Sequence, residues 1–184
     1  ESVPTFDILY NSLRDCRLLF SLDQGKTISK WIISNIDSLK FSKNQKRLIH
    51  YEIAIISYLL SDTDEASYYL NNVLEDQEHE DEELIISALL YMAKVLSLKN
   101  ASASALKYIK HAMQKLENKK DSDFYAIAFM IYYEITERMD SSSSLNNYNE
   151  AQRLLKSRDL LNNKMNSSLI MPWHLVDDEK KKKK

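Results

Sequence analysis

The residues of this chain that could bind a phosphate, hold a metal or attack a carbonyl stand apart from one another. Gly25-Lys26-Thr27 has the ending of a phosphate-binding loop, in which backbone N–H groups cradle the phosphates and the lysine reaches them. That loop needs a glycine five residues earlier, and Phe20 stands there. His50, His79, His111 and His174 are scattered, with no second histidine or cysteine at metal-ligand spacing, so no zinc site is expected. A nucleophile elbow needs two glycines around its serine, and the chain has one glycine in all. Cys16, the sole cysteine, lies among Leu13, Leu18 and Leu19. It is expected to be a small buried apolar side chain in a reducing compartment, not a reactive thiol. These absences lead to the expectation of a non-enzyme without metal or cofactor.

Charge is clustered, although the net charge is only −2. Glu75 to Glu83 holds seven acidic residues among nine. The run suits a solvated loop that places negative charge at a helix N-terminus, and a docking site for a basic partner is the alternative. Lys107, Lys110, His111 and Lys115 recur at helical spacing, with Lys119 and Lys120 beyond. They form a basic stripe that is either a solvated face or a route to nucleic acid, although no aromatic residues interleave with it. Lys180 to Lys184 close the sequence, and such a run serves phosphate binding or nuclear import.

The elements that must position these residues follow from the punctuation of the chain. From Thr5 to Met171 there are 167 residues without a proline and with one glycine. Sheet folds need both at their turns, so the chain is expected to be all-α. Apolar residues at three- and four-residue spacing predict eight helices, over about 6–22, 27–39, 44–61, 63–76, 80–97, 102–118, 122–139 and 145–163. Asp23-Gln24-Gly25 is read as the stop between the first two, Asp62 or Thr63 as the cap of the fourth, and Asp121 or Ser122 as the cap of the seventh. Residues 1–163 form one domain in this reading and 164–184 a tail. The longest apolar run, Phe124 to Tyr133, falls short of the ~20 residues of a membrane span, so no membrane role is expected. The start has neither a basic segment nor an apolar one, and no Met, which fits an intracellular protein, cytoplasmic or nuclear, given as a piece of a longer chain.

Thickly apolar helices alternate with amphipathic ones, and small residues recur where paired helices would cross: Ala54 with Ala66, and Ala93 with Ala105. Leu89, Met92, Leu96, Ile109 and Ala112 surround the second pair, and Ile53, Leu70 and Val73 the first. Phe124, Ile127, Ala128, Ile131, Ala151 and Leu155 continue the series. A looser opening pair uses Leu13, Cys16, Phe20, Ser29, Ile33 and Ile36, with Arg17 where a small residue is expected. The pattern resembles the tetratricopeptide repeat, two antiparallel helices in a unit of ~34 residues. Ala54 and Ala93 are 39 residues apart and the usual terminal prolines are missing, so the array is a degenerate one, with an irregular α-bundle as the alternative.

The resemblance implies a solenoid of stacked hairpins whose first helices line a concave groove. The residues at those places are Tyr51, Ile55, Tyr58, Leu90, Lys94, Tyr125, Phe129, Tyr132 and Tyr133, an aromatic and apolar surface suited to a peptide or helix of a protein partner. Members of the family that grip a terminal carboxylate use Lys and Asn there, and only Lys94 has a suitable type. The expected function is a non-enzymatic adaptor or scaffold subunit of a larger complex. A peptide-sensing domain of a transcription regulator is the alternative, and a nucleic-acid-associated subunit using Lys107, Lys110 and Lys115 comes third.

Overall fold

With almost no proline to remove a donor and almost no glycine to loosen the backbone, nearly every stretch can complete an i to i−4 ladder. The computed structural model describes residues 4–75, 81–120, 122–139, 149, 150 and 153, and among them there are seven helices and no strand. They are α1 (Phe6–Leu18), α2 (Leu22–Asn35), α3 (Lys43–Leu59), α4 (Thr63–Leu74), α5 (Glu82–Leu98), α6 (Ser102–Lys115) and α7 (Asp123–Arg138). The expected eighth helix, apart from residues 149, 150 and 153, and the lysine tail lie outside the described residues. So does most of the acidic run.

The chain divides into two compact units, Glu1–Gln77 and Glu78–Lys184. In the first, α1 packs on α2 and α3, α2 on α3, and α3 on α4. In the second, α5 packs on α6 and α7, and α6 on α7. Several helix starts carry side-chain caps, each worth about 1 kcal/mol. Asp62 accepts the Glu65 N–H at 3.1 Å, Asp81 the Glu83 N–H at 3.0 Å and Ser122 the Tyr125 N–H at 3.2 Å. Ser42 and Gln45 close a capping box at the head of α3, at 3.2 and 3.0 Å.

Three helix ends share one device. Phe20, Ser61 and Asn100 take φ of 55°, 65° and 58°, the left-handed conformation that glycine adopts most easily. Each donates its N–H three residues back, to Arg17, Tyr58 and Ser97. The next N–H reaches five residues back, to Cys16, Ser57 and Leu96, at 2.9, 2.8 and 2.9 Å. This pair of bonds is the Schellman motif, here built without glycine. The residue after each left-handed one is already the N-cap of the following helix. Thus α1 with α2, α3 with α4, and α5 with α6 are hairpins closed by the same short turn.

The turn sets a common register. Seven residues before it stand Leu13, Ala54 and Ala93, and five after it Gly25, Ala66 and Ala105, all six buried. In the opening hairpin these places fall on Leu13 and Gly25, one helical turn before Arg17 and Ser29, and the side chain of α1 that approaches Gly25 is Cys16. Gly25 is also not a stop. It lies inside α2, at a place where a Cβ would sit 2.9 Å from Ile56 Cδ1 and 3.1 Å from Cys16 Cβ. The chain leaves α1 at Phe20 instead, so α1 ends and α2 begins earlier than the position of the glycine suggests. The core of the first unit includes Leu13, Ile32, Ile49, Ile53, Ile56 and Leu70, and that of the second includes Ile86, Leu89, Met92, Ile109 and Ile131, all essentially inaccessible. Each such side chain contributes about 1.5–3 kcal/mol through burial.

Candidate interaction surface

Ser122 caps α7 and sets its phase. Ala126, Ala128, Ile131 and Ile135 are buried, whereas Tyr125, Phe129, Tyr132 and Tyr133 are half-buried. Tyr125 and Phe129 lie ring against ring, 5.0 Å between centroids and tilted by 59°. Both pack with Met130 on Ala126. The Tyr133 hydroxyl donates to Glu137 at 2.9 Å. This half of the expected groove is an aromatic face with partly accessible rings on a single helix.

The other five residues are buried. Tyr51, Ile55 and Tyr58 of α3 and Leu90 of α5 are at most 7% exposed. Lys94 is also buried, and its ammonium donates to Glu134 of α7. A lysine at a position that suits a peptide carboxylate thus holds a carboxylate of its own chain. What a partner segment can reach among the nine is the α7 set.

Several other polar side chains also join helices, whereas the buried Ser29 and Thr136 donate to carbonyls of their own helices. Arg17 donates through Nε to Glu52 at 2.6 Å and through Nη2 at 3.2 Å, with 4% and 1% of each residue exposed. Arg17 follows Cys16 near the end of α1, and this bidentate pair ties that end to α3. Lys26 reaches Asp62 at 3.1 Å and Glu65 at 3.3 Å, and Ser57 donates to Glu65 at 2.8 Å. The backbone N–H of Glu65, then Lys26, hold the Asp62 carboxyl below its ordinary range. Asp62 raises the Lys26 ammonium in turn. The lysine of the phosphate-loop lookalike is therefore a link between α2 and the cap of α4. Arg47 donates to the Glu75 carbonyl, and Arg138 to the Ser97 carbonyl at 2.9 Å.

Lys107, Lys110 and His111 are exposed on α6 and Lys115 is half-buried. Lys119 pairs with Glu82 at the head of α5, and that contact, with the Lys115 charge behind it, lowers the Glu82 carboxyl. His111 is pushed down by burial of its ring and then by Lys115. His50 lies against Tyr69, 5.4 Å between ring centroids and tilted by 40°, and is pushed down by burial and then by Lys46. Cys16 is buried, and burial raises its thiol. Among the described residues no group of three His, Cys, Asp or Glu side chains could hold a metal ion, and no helix is long and apolar enough to cross a membrane.

No family model, no curated protein and no solved structure matches the chain. The functional reading therefore rests on the residues themselves. Sequence reasoning found Asp62 and Ser122 as caps but missed Glu52, Glu65 and Glu134 as partners of buried or bridging cations. Glu52 in the middle of the apolar run from Ile49 to Tyr58 was a signal of that kind, because a carboxylate is rarely fully buried unless it is paired.

Proposed function

We propose that this chain is a non-enzymatic, tetratricopeptide-like interaction module that holds an apolar segment of a protein partner against the aromatic face of α7. The observation that carries the reading is the contrast within α7: the rings of Tyr125, Phe129, Tyr132 and Tyr133 stay partly accessible, while Ala126, Ile127, Ala128, Ile131 and Ile135 are buried. Tyrosine and phenylalanine present large area at small entropic cost, which is why such side chains dominate interaction hot spots. The common turn and crossing register of the three hairpins support the repeat reading. Arg17, Lys26 and Lys94, the cations that a site could have used, are instead engaged by Glu52, by Asp62 and Glu65, and by Glu134 of the same chain.

The test is capture of partners from the source cell by the full chain and by a Tyr125→Ala, Tyr132→Ala variant, with thermal melting of both. Loss of the same captured proteins with a melting midpoint moved by only a few degrees supports the reading. Unchanged capture, or collapse of the helical signal, overturns it.

A further inference from the structure

The three hairpins provide an internal comparison for the outer face of α6. In their common register Thr27, Tyr68 and Lys107 share one outward position, Lys30, Asn71 and Lys110 a second, and Trp31, Asn72 and His111 a third. The fold accepts neutral side chains at all three, as α4 demonstrates. On α6 alone they become Lys, Lys and His, with Lys115 one turn further on. No acidic residue lies anywhere between Ser102 and Lys115 to offset them. Lys107 and Lys110, three residues apart, repel one another along the helix, so the stripe opposes the helix that carries it.

None of Lys107, Lys110 or Lys115 has a carboxylate at ion-pair distance among the described residues, while Lys119 at the end of the stripe does hold one, Glu82. The stripe is thus complementary to carboxylates and is left uncompensated along most of its length. Its dimensions limit the ligand. Lys107 to Lys115 spans ~12 Å of helix, and beyond Lys115 lies the carboxylate of Glu82, already paired with Lys119. There is no arginine between Lys99 and Lys120 to clamp phosphate through a bidentate fork. We propose that the outward face of α6 docks a short acidic segment of a protein partner, with its carboxylates on Lys107, Lys110 and Lys115. This surface is separate from the aromatic face of α7 and does not depend on it.

The experiment is fluorescence anisotropy of the full chain with a labelled glutamate-rich peptide about three helical turns long. A labelled single-stranded oligonucleotide of equal charge is run in parallel. The peptide is expected to bind at low salt and to weaken as salt rises. Replacing Lys107, Lys110 and Lys115 by Gln should weaken it about tenfold, from three surface ion pairs of ordinary strength. Lys110→Gln alone should weaken it about two- to threefold, which decides the matter if the triple variant fails to fold. Lys30→Gln on α2 should leave the affinity unchanged. No peptide binding at low salt, equal binding by the lysine variants, or tighter binding of the oligonucleotide through the same lysines would overturn the proposal.

Discussion

Replacing Gly25 by Ala sets two effects of known size against each other. Gly25 sits inside α2 with ordinary helical φ, so added helix propensity alone would stabilise the protein by about 1 kcal/mol. The new methyl would lie 2.9 Å from Ile56 Cδ1 and 3.1 Å from Cys16 Cβ. Ile56 can yield only at its tip and is itself 1% exposed, while the Cys16 Cβ is fixed to the backbone of α1. Overpacking of this kind costs about 1–3 kcal/mol. The packing effect wins, and Gly25→Ala should lose up to about 2 kcal/mol in urea unfolding followed by circular dichroism. Ile56→Val removes the nearest atom. Alone it should cost about 0.5–1.5 kcal/mol, yet in the Gly25→Ala background it should be neutral or stabilising. A Gly25→Ala protein that is more stable than the original, or a double variant whose losses simply add, would show that the glycine is not a close-approach residue and would undo the register of the first hairpin.

Two further outcomes follow from the polar links. Glu52→Gln removes the charge facing a guanidinium that is almost wholly buried and should cost about 3–5 kcal/mol, while Arg17→Met combined with Glu52→Leu should recover most of that loss in the same assay. Asp62 has a lower pKa folded than unfolded, so as pH falls the unfolded chain takes up the proton first. Its contribution is complete above about pH 4 and is lost below it as the pH passes through the depressed folded value. Urea midpoints measured down that range should fall less steeply for Asp62→Asn and for Lys26→Met than for the original chain, and identical slopes would refute the link.

Much of the architecture was readable because helix formation is local. Scarce proline, three- and four-residue apolar spacing and capping side chains all act within a few residues, and Asp62 and Ser122 cap where expected. Gly25 was misread because the same residue type signals either a helix end or a close crossing, and the two differ only in what packs nearby. The true end of α1 was hidden because an aromatic residue, Phe20, takes the left-handed conformation. The candidate surface is harder to read. A stripe of tyrosines on a first helix looks the same whether it lines a groove or a core, and burial of Tyr51 and Tyr58 depends on neighbours distant in sequence. Lys94 suited a peptide carboxylate until Glu134, 40 residues on, occupied it.

The repeated turn also has a consequence for how the protein comes together. Each of the three hairpins closes over the shortest of connections, so the entropy lost in bringing its two helices side by side is close to the least a chain can lose. The ties from one hairpin to the next span far more chain: 35 residues for Arg17 with Glu52 and 36 for Lys26 with Asp62. Local pairs therefore form ahead of distant ones. The buried Arg17–Glu52 pair carries the larger share of the loop entropy, and closing it demands more of the chain than any of the three turns.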